Sequence, residues 1–339
     1  MTNPAAGDGP LLRVEGLRVV LRLRGGDAEA VRDVSLSVDA GETLAVVGES
    51  GCGKSLTMSA VMGLEPRVAA IVAGRVIVDG LDLLAASDAE RRSHRGRTLA
   101  MIYQDPMTSL NPTMRIGRQI AEACVAHGSS WDEGERRAIE VLGAVGIPRP
   151  ERAARSYPHE FSGGMRQRAV IAMALAMRPR VLIADEPTTA LDVTIQQQII
   201  DLVGSLQQET GMGVIWVTHD LGVVARIADR VAVMYAGRVV EEQTTARLFT
   251  APQHPYTAGL LAAIPPLLGS ERPPLQQIGG ALPSLMDRSP GCAFRPRCPQ
   301  AVEACALEVP PLVERGASRV ACIVPPDRWT PTSDPRSPR

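Results

Sequence analysis

Two residue clusters in this 339-residue chain have the types and spacing for phosphate chemistry. The first is Gly48-Glu49-Ser50-Gly51-Cys52-Gly53-Lys54-Ser55, followed by Leu56, which fits G-x-x-x-x-G-K-[ST]. Glycines let the backbone curl so that successive N–H groups converge on phosphate oxygens, and the helix expected next adds positive potential. Lys54 is placed to reach the β and γ phosphates of ATP, and Ser55 to offer a hydroxyl to Mg²⁺. Cys52 is then a loop residue. The second cluster is Val181-Leu182-Ile183-Ala184-Asp185-Glu186, an apolar strand ending in two carboxylates. Asp185 is expected to hold Mg²⁺ through water and Glu186 to polarise an attacking water. Phosphoryl transfer needs little covalent help, so metal, charge and positioning can do the work. Alone, such a strand is equally a capped strand; the phosphate loop upstream gives it a functional reading.

A third cluster, Phe161-Ser162-Gly163-Gly164-Met165-Arg166-Gln167-Arg168, opens a helical pattern with a small, exposed N-terminus able to face a phosphate. Taken alone it is also a capped helix with a flexible turn. Here the sequence resembles the ABC ATPase family, whose signature is usually Leu-Ser-Gly-Gly-Gln. Phe161 and Met165 depart from that pattern; Ser162, Gly163 and Gly164 keep it. The resemblance implies that these residues face the ATP held by a partner subunit. It also implies that Gln104 is the Q-loop residue, which ligates Mg²⁺ and senses the membrane partner. Thr189-Ala190-Leu191-Asp192 is similar to the D-loop, with Asp192 its acidic residue. His219, after Trp216-Val217-Thr218, is similar to the switch histidine on the γ-phosphate, so Glu186 and His219 are the expected catalytic pair. His94, His127 and His159 match no comparable motif and read as surface or packing residues. One departure concerns the base: Leu21 stands where the family often stacks an aromatic residue on adenine.

Further stretches narrow the resemblance. Gln104-Asp105-Pro106-Met107-Thr108-Ser109-Leu110-Asn111-Pro112, Ser162 to Ala176, His254-Pro255-Tyr256-Thr257 and Leu260 to Pro265 look like the ATPases of oligopeptide, dipeptide and nickel importers. The likeness covers about residues 11 to 324. It implies an ATP-hydrolysing subunit on the cytoplasmic face of the inner membrane. It also implies two integral membrane permeases, a second, related ATPase subunit forming a heterodimer, and an extracytoplasmic solute-binding protein. Di- or oligopeptides are the expected cargo, with nickel or another small solute the alternative. The docking surface is expected at Gln104 and in the helical insertion from Arg115 onward. His254 reads as a structural turn residue.

Cys292, Cys298, Cys305 and Cys322 are separated by five, six and sixteen residues. Clustered thiols in a chain not built as a secreted disulfide scaffold point to a soft metal. Short C-x₂₋₄-C zinc spacings are absent, and so is the usual ferredoxin spacing. The resembled importer ATPases include members with a C-terminal iron–sulfur cluster at such cysteines. A [4Fe–4S] cluster is therefore the leading expectation, with zinc and uncoordinated thiols the alternatives. Cys124, on a helical pattern, reads as a small buried residue.

These groups need a scaffold. Leu12, Val14, Leu17, Val19 and Leu21 largely alternate, and Val31 to Val38 forms a second β-rich run after Gly25-Gly26-Asp27. Thr43 to Val47 reads as a buried strand, Lys54 to Gly63 as a helix, and Val76 to Val78 and Thr98 to Tyr103 as strands. Asn111 to Tyr157 is charged and helical, divided at Gly128-Ser129-Ser130 and at Ile147-Pro148. Val181 to Ala184, Val193 to Gln208 and Gly213 to Thr218 then give strand, helix, strand, the pattern of a parallel sheet covered on both faces. Val231 to Tyr235 and Arg238 to Glu241 flank the turn Ala236-Gly237.

The expected fold is α/β: a P-loop NTPase core of the ABC ATPase kind with an N-terminal antiparallel β subdomain, a helical subdomain and a small C-terminal extension carrying the cysteines. The expected divisions are 11–242 for the nucleotide-binding domain (helical part about 105–175), 243–324 for a separate extension, and 325–339 for a disordered tail.

Composition limits the competitors. Thirty-six basic against 37 acidic residues, with 3% aromatics, leave neither a basic footprint nor a stacking platform for nucleic acid. A soluble ABC ATPase acting on nucleic acid or ribosomes is the competing reading, but a long coiled-coil insertion, a tandem ATPase unit and a basic surface are all missing. Met1 to Pro10 has no basic or apolar leader pattern. No run approaches the ~18 apolar residues of a membrane span.

Overall fold

The computed structural model describes residues 9–189, 191–264, 278–286 and 290–329. β1 (Leu12–Leu23) and β2 (Gly26–Val38) form an antiparallel pair whose register runs from Leu12 opposite Val38 to Leu23 opposite Gly26. β3 (Thr43–Val47) is buried throughout and feeds the phosphate loop, after which α1 (Lys54–Val61) begins. β4 (Ala69–Val78) starts at Ala69 rather than Val76. Its first half pairs with β1, Ala69 opposite Leu21, while its side chains stay partly or fully exposed. Pairing without burial leaves no alternation to read in the sequence. β5 (Leu81–Asp82) completes a sheet of order β2-β1-β4-β5.

The chain then passes through α2 (Asp88–His94), which Ser87 and Glu90 cap reciprocally and which buries none of its residues. Next come β6 (Leu99–Ile102) and five helices: α3 (Pro106–Ser109), α4 (Ile116–Val125), α5 (Trp131–Ala144), α6 (Pro150–Arg155) and α7 (Gly163–Leu175). The two expected breaks separate α4 from α5 and α5 from α6. At the first, Ser130 Oγ accepts from Glu133 N while the Glu133 carboxylate accepts from Ser130 N at 2.8 Å. Such caps contribute about 1 kcal/mol. The helices enclose Ile116, Ile120, Leu142, Val145, Phe161 and Ile171.

β7 (Val181–Asp185), α8 (Val193–Thr210), β8 (Gly213–Thr218), α9 (Leu221–Ile227), β9 (Arg230–Tyr235) and β10 (Arg238–Thr244) complete the core. Strands β9, β3, β8, β7 and β6 are parallel neighbours. The period of two sorts their side chains. Val181, Ile183, Ile215 and Val217 pack with α1 and the antiparallel sheet. Leu182, Ala184, Val214 and Trp216 pack with the helical layer. The core sheet is thereby buried on both sides.

After α10 (Thr245–Thr250) and α11 (Pro255–Ala262), the extension does not remain separate. β11 (Val313–Arg315) and β12 (Ser318–Val320) form a hairpin, and β12 pairs with β10, Glu241 opposite Val320 and Glu242 opposite Arg319. This gives an eight-stranded sheet of order β11-β12-β10-β9-β3-β8-β7-β6. The hairpin satisfies the backbone edge that β10 would otherwise expose. Glu242, 4% exposed, is shared by Arg230 and by Arg319 at 2.9 Å, and Arg230 also reaches Glu42 at 2.7 Å. Order continues past Pro325, where the tail was expected to start. Pro326–Arg328 makes a 3-10 turn, and the Trp329 indole donates to Val324 O at 3.2 Å. Residues 330–339 of the expected tail lie outside the described residues. Among the described residues no helix is long and apolar enough to cross a membrane.

Candidate nucleotide site

The chemistry-bearing residues converge at the C-terminal ends of parallel strands, where open α/β sheets bind ligands. The loop Gly48 to Gly53 follows β3, Gln104 follows β6, Asp185 and Glu186 end β7, and His219 follows β8. A Cβ at Gly48 would collide with the Met234 carbonyl, so the loop can lie against β9 only with glycine there. Lys54 is 4% exposed; its Nζ donates to Gly48 O at 2.7 Å and Glu49 O at 3.1 Å. Leu56 packs from α1 against the core. Cys52 is buried under the loop, and burial pushes its thiol pKa up.

Ser55 Oγ donates to Asp185 Oδ1 at 3.0 Å, joining the start of α1 to the end of β7. Burial raises the Asp185 pKa, and the Ser55 hydrogen bond offsets only part of that. Glu186 has a left-handed backbone (φ 46°), and its N–H donates to Val217 O at 3.0 Å. Its carboxylate gathers the neighbours: Gln104 Nε2 donates to Oε2 at 3.1 Å and Thr189 Oγ1 to the same oxygen at 3.0 Å. His219 Nδ1 lies 3.4 Å from Oε1. A non-glycine residue held at positive φ marks a place where surrounding contacts override local preference.

The Ser162 group stands elsewhere. Ser162 caps α7, its Oγ accepting from Met165 N at 3.3 Å, and Ser162 and Gly163 are exposed. A Cβ on Gly164 would sit 3.0 Å from Ile195 Cγ2, so α7 starts hard against the start of α8. Asp192 caps α8 by accepting from Ile195 N at 2.9 Å. Ser162, Gly163, Gly164, Met165 and Asp192 thus lie where α7 and α8 start against each other, and no hydrogen bond among the described residues ties them to the phosphate loop. Ala190 lies outside the described residues. Leu21 is half-buried on β1, between Ala28 and Ala69.

The sequence pattern of the family described as ABC transporter matches residues 31–189, and that of the oligopeptide/dipeptide transporter C-terminal region matches residues 240–305. A putative peptide import ATP-binding protein of Brucella abortus is 52% identical over 335 residues, spanning 94% of this chain and 97% of that one. The chain belongs to the ABC transporter family. The oligopeptide transport ATP-binding protein OppD of Bacillus subtilis is 50% identical over 304 residues, 89% of this chain and 85% of that one. The fold is similar to a dimeric, post-hydrolysis ATP-binding cassette bound to ADP and phosphate, with a TM-score of 0.62 and 27% identity over 69% of this chain and 98% of that one.

In this ABC chain the extension reaches the phosphate loop, which the sequence reading missed. Tyr256 Oη accepts from Glu49 N at 3.0 Å. Arg297 grips the Glu49 carboxylate with both guanidinium arms, at 2.9 and 3.0 Å. The signal available was His254-Pro255-Tyr256-Thr257, a short conspicuous segment with no chemistry of its own. His254 is the N-cap of α11, its ring nitrogen Nδ1 accepting from Tyr256 N at 3.0 Å. Burial lowers its pKa to about 3, so it is neutral.

The cysteines gather without closing on a ligand position. Cys292 N donates to Cys305 O at 2.8 Å. Burial, with added repulsion from Cys322, Cys292 and Cys305, pushes the Cys298 thiol up to about 12. Among the described residues no three His, Cys, Asp or Glu side chains are arranged to hold a metal ion. The expected [4Fe–4S] or zinc site is therefore not preformed among the described residues: Cys305 is buried, and Cys292, Cys298 and Cys322 are partly buried free cysteines.

Proposed function

We propose that this chain is the ATP-hydrolysing subunit that energises import of di- and oligopeptides, seated peripherally on the cytoplasmic face of the cell membrane. The observation that carries the reading is the meeting of Lys54, Ser55, Asp185, Glu186, Gln104 and His219 at one sheet edge. The peptide cargo rests on relatives named for peptide import and on the match of residues 240–305.

The loop Gly48 to Gly53 cradles the phosphates, and Lys54 exchanges its two carbonyl partners for phosphate oxygens. The hard oxygen donors of Ser55 and Asp185, already 3.0 Å apart, fit magnesium, with Gln104 a further ligand. Magnesium, when bound, offsets the charge of the phosphates. Glu186 orients the attacking water and draws off its proton as the bond to the γ-phosphate forms and the bond to ADP breaks. His219 holds the γ-phosphate side of that water. Ser162, Gly163, Gly164 and Met165 cap the ATP of the opposing ATPase subunit, a related chain, with Asp192 at the same seam. ATP binding closes this pair, and hydrolysis reopens it against two membrane permeases served by an extracytoplasmic binding protein.

We also propose that the four cysteines close on a structural [4Fe–4S] cluster only as it is loaded, a reading supported by the backbone hydrogen bond that joins Cys292 to Cys305 at 2.8 Å. No step of hydrolysis runs through it. Iron and sulfide analysis of anaerobically purified chain tests this; zinc alone or neither metal overturns it.

Gentle detergent extraction with the chain tagged tests the main proposal. Two multi-spanning proteins and a second ATPase are the expected companions, whereas ribosomes or nucleic acid without a membrane protein overturn the importer reading.

A further inference from the structure

We infer that Arg297 and Tyr256 are positioning residues for the nucleotide, holding Glu49 and through it the phosphate loop in its phosphate-binding shape. The inference rests on the ATP reading above and adds a role for the extension at that same site.

Glu49 is the second residue of the loop and is held on three sides. Its N–H donates to Tyr256 Oη at 3.0 Å, its carbonyl accepts from Lys54 Nζ at 3.1 Å, and its carboxylate is forked by Arg297. The first and third holds come from two segments of the extension that converge on one loop residue. Both are rigid. Tyr256 is fully buried, with its ring 4.7 Å from that of Tyr235 and 5.4 Å from that of Phe294. The Arg297 side chain is 6% exposed. It also donates to Gly279 O at 2.8 Å, Ile278 O at 3.2 Å and Tyr235 Oη at 3.4 Å. Its guanidinium lies 5.8 Å from the centre of the Tyr235 ring.

A loop that cradles anions must keep several N–H groups pointing one way, which costs backbone entropy and crowds like dipoles. Turning the Glu49 N–H back onto Tyr256, and pinning the side chain behind the loop, fixes the strand-to-loop corner before the nucleotide arrives. The bidentate fork fixes direction as well as distance, which lysine cannot do. If the pair served only to attach the extension, its loss would lower stability and leave nucleotide affinity alone.

The test measures MgATP affinity of the purified full chain and, in the assembled transporter, KM and kcat for ATP. Arg297→Ala is expected to weaken ATP binding about tenfold, and Arg297→Lys by less. Tyr256→Phe, which keeps the ring and removes the hydroxyl that accepts from Glu49 N, is expected to weaken it about threefold. KM should rise while kcat at saturating ATP stays within about twofold. Glu49→Gln combined with Arg297→Ala should bind no worse than the weaker single variant, because the two residues act as one unit. Unchanged ATP affinity in Arg297→Ala or in Tyr256→Phe overturns the inference, as do additive losses in the double variant. Should Arg297→Ala fail to fold, Tyr256→Phe decides alone. Failure of the unaltered chain to bind ATP overturns instead the nucleotide reading beneath it.

Discussion

His219 Nδ1 lies 3.4 Å from Glu186 Oε1, so the ends of neighbouring strands β8 and β7 present an imidazole and a carboxylate side by side. Glu186→Gln keeps the size of the side chain and its contact with Gln104 but removes the charge to which we assign the proton of the attacking water. Phosphate release should fall about a hundredfold or more, with MgATP binding retained. His219→Ala should fall similarly. Steady-state phosphate assays beside nucleotide titration check both, and undiminished turnover in Glu186→Gln would remove it as the catalytic carboxylate.

Gly164 has room for no side chain without moving Ile195. Gly164→Val should therefore push the start of α7 away from α8 and spoil the face that we propose meets an opposing subunit. Binding of MgATP to the separate chain should persist, while turnover of the assembled transporter falls by about a hundredfold. Loss of nucleotide binding by the separate chain would show that the damage lies elsewhere.

His254 gives a pH dependence with a definite sign. Its pKa is about 3 in the folded chain against 6.5 as the ordinary value, so the unfolded chain takes up the proton first as pH falls. Stability from this group is complete above pH 6.5 and drains away toward pH 3. The slope reaches ~1.4 kcal/mol per pH unit at most. Asparagine can cap α11 without titrating. Urea midpoints of wild type and His254→Asn, measured from pH 7.5 to 5, should converge as pH falls. A constant difference would mean that His254 is not held neutral.

Arg230 supports the buried Glu242 together with Arg319. Arg230→Ala should cost about 2 kcal/mol, less than an unpaired buried charge would, because Arg319 remains. Urea denaturation reads this directly, and a change below about 0.5 kcal/mol would show that Arg319 and water suffice.

Much of the scaffold was legible because its signals are local. The buried strands β3, β7 and β8 are short apolar runs, and the breaks at Ser130 and Pro148 carry cap and turn chemistry. The first half of β4 was not legible, because its side chains are exposed and only pairing with β1 makes it a strand. β11 and β12 were missed for a different reason. Three residues are too few to show a period of two, and what makes β12 a strand is the free edge of β10 far back in the chain. Composition marked the extension as different in texture, but texture says nothing about where a segment docks.

By itself, the sequence determined the phosphate loop, the paired carboxylates of Asp185 and Glu186, and the helix start at Ser162. In each of these the chemistry depends on residues adjacent along the backbone, so spacing alone specifies it. Only the tertiary structure decided that Gln104 and His219 meet at Glu186, that the hairpin of the extension extends the core sheet, and that Arg297 closes on Glu49 across 248 residues. Such contacts depend on strand order and on which edges remain unpaired. Those are properties of the packed sheet, and no window along the chain contains them.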